Sequence, residues 1–296
     1  MKSLIKKLIN QVELIKAYRF HKNQKKNIKV SQDLELMLYS KIIKTDMLHY
    51  GYFYDINIKS DSISIKDLEN AQMNYVDIIM EQILNKNENI LDVGCGMGGL
   101  SKILLDNKLK VQALTPDNNQ KKYIQSKYPR LNLHHIKFED FKSNEKFGTI
   151  INSESLQYIN LNTAFCSVSN LLTENGRWII TDYFRNNDAG INNSGHLHTE
   201  FLEHVNKNEW KIVYKKDMTL NALPTLKFAI TFINRFLNPL ALFIKEKIKY
   251  KHGWIFYLTQ ELRTKLTDKS NKELAALDPD KFIKEKAYML YVLERK

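Results

Sequence analysis

Apolar residues change their spacing twice along this chain. Up to about residue 84 they recur at three and four residues, the spacing of one helix face. Leu4, Ile5, Leu8, Ile9, Val12 and Ile15 are the first such stripe, with lysines around them. This amphipathic basic helix either packs on its own domain or lies on an anionic membrane. The exception within this region is Met47–Asp55, MLHYGYFYD, an aromatic cluster around Gly51. From residue 88 short apolar runs alternate with helical patterns. NILDVG, KVQAL, LNLHHIKF, FGTIINS and RWIITDYF are expected strands. Helices are expected at 97–107, at 118–127 and in LNTAFCSVSNLL, which TENG ends as a loop. That alternation predicts a parallel sheet with helices on both faces, an α/β fold.

A second change follows residue 186. RNNDAGINNSGHLHTE is a predicted loop or lid, FLEHVNKNEW a helix and KIVYKKDMT a strand. Mostly helical sequence fills 219–282, and AYMLYVLER closes the chain as an apolar strand. The helical block is therefore an insertion before the last strand. The expected division is a helical extension with a lid over 1–84 and a catalytic domain over 85–296. The most apolar part of the insertion is broken by Pro224, Lys227, Arg235 and Pro239. Read this way, it falls short of the roughly 20 apolar residues that span a bilayer.

Composition narrows the class only in part. The 296 residues are 43% hydrophobic and 26% charged, ordinary for a globular protein. Two cysteines, Cys95 and Cys166, make no disulfide framework and point to a reducing, cytoplasmic compartment. The net charge of +12 favours anionic partners or simply a basic solvated surface. The basic residues are dispersed and no NPPY or DPPY follows the fourth strand, which argues against nucleic acid. His196, His198 and His204 lack the spacing of a metal site, so no metal is expected and they read as solvated loop histidines.

The chemistry centres on ENILDVGCGMGGLSKILL, Glu88–Leu105. Gly94, Gly96 and Gly99 match GxGxxG, the pattern of dinucleotide sites. Asp92 lies two residues before Gly94, a poor neighbour for a pyrophosphate but a good one for an ammonium group. LDVGCGMGG resembles the first motif of class I S-adenosylmethionine-dependent methyltransferases. The resemblance implies a Rossmann-like seven-stranded sheet with an antiparallel last strand, and S-adenosyl-L-methionine as cofactor at Asp92, Gly94, Cys95 and Gly96.

LTPDNNQ, Leu114–Gln120, is similar to the LTLSxNQ of cyclopropane fatty acid synthases and of sterol and tocopherol methyltransferases. That similarity implies Thr115 and Gln120 as cofactor contacts. Asp117 departs from the pattern; it either recovers a ribose contact or caps the next helix. IKFEDF resembles GWEQF, which implies Phe138 stacking on adenine and Glu139 accepting from its amino group. DSISIKDLENAQ and MLHYGYF are similar to segments before the first strand, the second implying a cofactor lid with Tyr52. Where that branch has EHVG, this chain has Gln157 and Tyr158, which argues against cyclopropanation. The candidate catalytic groups are Glu154, Tyr158 and His49. Glu154 orients substrate, takes a proton, or caps the turn at 155. His49 or Tyr52 serves as a base or faces the sulfonium. The apolar, aromatic insertion implies a hydrophobic acceptor, a lipid, isoprenoid or polyketide.

Overall fold

The computed structural model describes residues 7, 9–25, 41, 43–188 and 194–296. Leu4, Ile5 and Leu8 of the first stripe, and part of the predicted lid after residue 186, lie outside the described residues. The chain divides into two compact units, Met1–Lys44 and Thr45–Lys296. In the first, α1 spans Gln11–Lys25.

The second unit is built on one seven-stranded sheet. Its strands are β1 Asn89–Val93, β2 Lys110–Leu114, β3 Asn132–His134, β4 Phe147–Ser153, β5 Leu172–Arg185, β6 Trp210–Asp217 and β7 Lys286–Arg295. The order is β3-β2-β1-β4-β5-β7-β6. β1 to β5 pair in parallel, and β7 runs antiparallel between β5 and β6. This is the doubly wound architecture that the alternating pattern predicts. TENG belongs to the irregular start of β5 rather than to a separate loop, and the β4–β5 register shifts beside it.

Neighbouring residues on the central strands serve opposite layers, because side chains alternate across a sheet. Ile90, Ile151 and Ile179 join one core with Val76, Ile79 and Leu104. Leu91, Ile150 and Ile180 join another with Phe165, Trp178 and Phe201. The first layer is covered by α2, Ile65–Glu81, whose Ser64 and Asp67 form a reciprocal capping box. Next come α3, Gly99–Asp106, and α4, Asn118–Lys127. The Asp117 carboxylate accepts from the Gln120 N–H at 2.6 Å, so Asp117 is a helix cap. α5, Leu161–Leu171, and α6, His198–Lys207, flank the other layer.

The insertion is helical throughout: α7 Thr219–Phe232, α8 Asn238–Lys251, α9 Gly253–Leu258, α10 Gln260–Ala276 and α11 Pro279–Glu285. Pro224, Lys227, Arg235 and Pro239 interrupt the apolar run but not the helix. Thr219–Lys251 is one 33-residue helix, long and apolar enough by length and composition to cross a membrane. A π turn at Ile233–Leu237 lies just ahead of Pro239. Such a widened turn relieves the proline ring's clash with the preceding carbonyls, so the helix passes through. The start of α7 is anchored: Leu223 and Leu226 are core residues, and Thr225 accepts from the Gly51 N–H at 3.0 Å.

Candidate active site

Strand order reverses beside β1, with β2 on one side and β4 on the other. Ligands in open α/β sheets bind beyond the strand ends at such a switch point. The glycine loop leaves β1 there. Gly94, Gly96 and Gly98 all take positive φ, +74°, +56° and +85°. The N–H groups of Gly94 and Cys95 both donate to the Leu114 carbonyl at 3.0 Å, tying the loop to the end of β2.

Gly94 and Gly96 face different surroundings. A Cβ on Gly94 would meet the Ser155 Cβ at 2.6 Å, whereas one on Gly96 would meet nothing within 4 Å. Gly94 therefore serves close packing between the β1 and β4 loops. Gly96 leaves a free backbone surface, the form of a cradle for a ligand. Asp92 is buried below the loop and accepts from the Ser101 hydroxyl at 2.5 Å. Burial pushes its carboxyl up to about 6, partly offset by that hydrogen bond. A carboxylate held out of water in this way is favoured by a cationic ligand group. The residues thus fit S-adenosylmethionine, whose ammonium group a buried Asp92 would suit.

Other expected cofactor contacts are already engaged with the protein. The Thr115 hydroxyl donates to Gln120 Oε1 at 2.6 Å and accepts from the Asp117 N–H. The pair shapes the end of β2. Phe138 is only 3% exposed, inside the core with Leu91, Val93 and Leu114. The ring expected to stack on adenine packs among these core residues. Glu139 beside it is exposed. Tyr52 is buried, with the Lys216 ammonium 4.5 Å from its ring centre. Cys95 is buried as well.

At the end of β4, Glu154 takes a left-handed φ of 52°, rare for a residue with a Cβ. Its N–H donates to the Thr181 carbonyl at 2.7 Å. Its Oε1 accepts from the Tyr50 N–H at 2.8 Å and from the Tyr288 hydroxyl at 2.6 Å. The carboxylate therefore caps no turn. Burial raises it to about 7, with those two hydrogen bonds pulling the other way. Tyr75 stands beside it, its hydroxyl 2.6 Å from Ser153 Oγ. His49 stacks on Tyr75 at 3.8 Å, and its Nδ1 donates to the Tyr50 carbonyl at 2.9 Å. Its buried Nε2 has no partner, and burial lowers the imidazole to about 4, so it is neutral near pH 7.

Of the three expected catalytic groups, Glu154 and His49 meet in one buried cluster. Tyr158 does not; it is 69% exposed on the following turn. Tyr288, from β7, occupies the hydrogen-bonding position instead. Asp182 also escaped sequence reasoning: it is buried at the end of β5, accepts from the Gln157 and Tyr183 N–H groups, and is pushed up to about 8 by burial. The signal available was an acid closing the apolar run of strand five.

A small cleft of about 50 Å³, partly open to solvent, lies against this cluster, lined by Tyr50, Tyr183, Phe282, Lys281, Glu285 and Lys286. Tyr50 joins the two, its ring on the pocket and its N–H on Glu154. Burial beside Arg185 lowers Lys286 to about 8.

The loop histidines are structural rather than solvated. His196 Nε2 donates to the Leu156 and Ile159 carbonyls, and His198 contacts the Tyr291 hydroxyl at 2.6 Å. Among the described residues no cluster of His, Cys, Asp and Glu suits a metal.

Against known proteins, the model of a family described as mycolic acid cyclopropane synthetase matches residues 20–234. The cyclopropane synthase MmaA2 of Mycobacterium tuberculosis has a similar fold. Its TM-score is 0.60 at 13% identity, covering 83% of this chain and 88% of that one. A geranyl diphosphate C-methyltransferase of Streptomyces coelicolor gives 0.58 at 14%, covering 84% and 91%. A 23S rRNA (cytidine-2'-O)-methyltransferase, TlyA of Campylobacter jejuni, is 31% identical over 153 residues. That match takes in 51% of this chain, which spans about half (52%) of the relative's length.

Proposed function

The chain belongs to the mycolic acid cyclopropane synthetase family, and on that premise we propose that its methyl transfer ends with Glu154 accepting a proton from a hydrophobic acceptor. It is an S-adenosylmethionine-dependent methyltransferase of α/β fold. Bound S-adenosylmethionine supplies an electrophilic methyl group. The rest of the reading concerns this chain's side chains.

Glu154 carries it. A carboxylate near 7, half-buried behind tyrosine rings and next to the glycine loop, is tuned to take a proton at neutral pH. Gly94 and Ser155 touch, so the methyl-donor loop and the Glu154 loop are neighbours. Tyr50, Tyr75 and Tyr288 offer ring faces to a positive charge developing on the acceptor. When an alkene carbon takes the methyl group, its π electrons form the new bond and the adjacent carbon becomes cationic. Loss of a proton to Glu154 then restores neutrality. His49, neutral and stacked on Tyr75, helps hold that ring. The small cleft behind Tyr50 carries Phe282 and two lysines, an apolar contact and positive charge for the end of an acceptor bearing an anionic group.

The test is incubation with methyl-labelled S-adenosylmethionine and either lipid and isoprenoid extracts or ribosomal RNA. Label in a hydrophobic product, absent with Glu154→Gln, supports the reading. Label in RNA alone would overturn it in favour of the chemistry of the rRNA relative.

A further inference from the structure

The helical insertion buries its two ends and leaves its middle bare. Thr219, Ala222, Leu223 and Leu226 of α7 are core residues, and Phe282 of α11 is buried with them. Between them, Phe236, Leu240, Phe243, Tyr257, Leu258 and Leu262 are each more than half exposed. Leu240 and Phe243 lie three residues apart on one face of α8, and Phe236 precedes them in the π turn. Contiguous exposed apolar surface of this kind marks an interaction site.

Its charge selects the partner. Residues 235–272 hold nine lysines and arginines against three acids. Lys245, Lys247, Lys249 and Lys251 follow directly on the apolar face, and Lys247 lies over the Phe243 ring at 5.4 Å. Long basic side chains flanking an apolar face, with exposed Tyr250 and Tyr257 near them, match the layering of a lipid interface: acyl chains, aromatic belt, anionic headgroups. Two copies of this face would set like charges against each other, which disfavours a dimer.

We propose that the α8–α10 hairpin docks on the surface of an anionic lipid bilayer, its apolar face entering the headgroup and acyl boundary. It lies on the membrane and does not cross it. α7 is rooted in the core, and Arg235 falls in the middle of the long helix. The return limb has a second consequence. α10 ends at Ala275 and Ala276, which line the pocket beside Tyr50 and Phe282. The docked hairpin therefore leads from the lipid interface to the pocket wall. That path rests on the methyltransferase reading above; the docking itself does not.

The experiment is flotation of the full chain with vesicles of phosphatidylcholine alone or mixed with phosphatidylglycerol. Wild type is expected to float with the anionic vesicles and to be released as salt rises. Replacing Lys245, Lys247, Lys249 and Lys251 by Gln should weaken binding about fivefold per lysine. Phe236→Ser with Leu240→Ser and Phe243→Ser should abolish it. A retained melting shift with S-adenosylhomocysteine certifies that each variant is folded. Wild type that ignores anionic vesicles, or folded variants that float like wild type, would overturn the proposal. So would a wild-type dimer that the apolar triple variant makes monomeric while no vesicle binds, because the face would then be a contact between copies. None of these readouts needs methyl transfer, so failure here leaves the catalytic reading standing.

Discussion

Substitutions at Gly94 and Gly96 should separate stability from cofactor binding. At both positions alanine must adopt a left-handed φ, costing about 1–2 kcal/mol. Gly94→Ala adds a second cost. Its Cβ would sit 2.6 Å from the Ser155 Cβ. Ser155 cannot retreat easily, because its hydroxyl donates to the Val93 carbonyl at 2.5 Å and accepts from Asn152 at 2.9 Å. Overpacking of that kind costs about 1–3 kcal/mol more. Gly94→Ala should therefore lose roughly 2–5 kcal/mol and Gly96→Ala only about 1–2 kcal/mol. At about 2–4 °C per kcal/mol for a unit of this size, calorimetry resolves the difference. The cofactor response should run the other way. A ligand at 100 times its dissociation constant adds about 2.7 kcal/mol to wild type. Gly96→Ala, whose methyl enters the open surface, should lose that shift while remaining folded. Gly96→Ala with a full wild-type shift would refute the placement of the cofactor there. Equal stability of the two variants would refute the Ser155 contact.

Glu154→Gln should flatten the dependence of stability on pH. The folded carboxyl is raised from 4.5 to about 7, so the folded state holds the proton more tightly than the unfolded one. Wild-type stability should then fall by about 3 kcal/mol as pH rises from 4.5 through 7, and level off above. Asp92 and Asp182, raised to about 6 and about 8, slope the same way and remain in the variant. Identical melting-temperature slopes for wild type and variant across that window would sink the assignment. Phe228 and Phe232 stack one turn apart on α7, ring centres 6.2 Å from each other. Replacing both by Ser should impair acceptor use and spare the cofactor-induced melting shift; losing both would make them core.

Much of the fold was legible because the central strands are continuous apolar runs bounded by glycine and polar turns, as ILDVG and TIINS are. The glycine loop was legible for a related reason: three positive φ values demand residues without a Cβ. Local logic also reached Asp117, whose cap spans three residues. It failed where partners are distant in the chain. Glu154 is held by Tyr50, 104 residues away, and Tyr288, 134 away, and no periodicity links such positions. Tyr158 is a candidate because it stands where the related branch has the histidine of EHVG, and nothing local points to Tyr288. Phe138 shows the same limit, since an aromatic beside an acid looks alike in a core and in a binding site. The long helix was missed as a span-length element because prolines and charges interrupt its apolar run without interrupting its backbone.

The position of β7 dictates an order of assembly. Among the described residues β6 pairs only with β7, and β7 is made after the whole helical excursion. Until it arrives β6 is an orphan, and β5 presents an open, sticky edge. Joining β6 to β7 closes a loop of some 70 residues rather than the few of an ordinary hairpin, an entropic handicap of about 2.5 kcal/mol if the excursion is still random. Helices α7 to α11 form from local contacts and shorten that loop, so their early folding speeds closure of the sheet. Mutations that weaken them should slow the arrival of the native state more than they weaken it once formed, leaving the nascent chain longer exposed to aggregation and proteolysis.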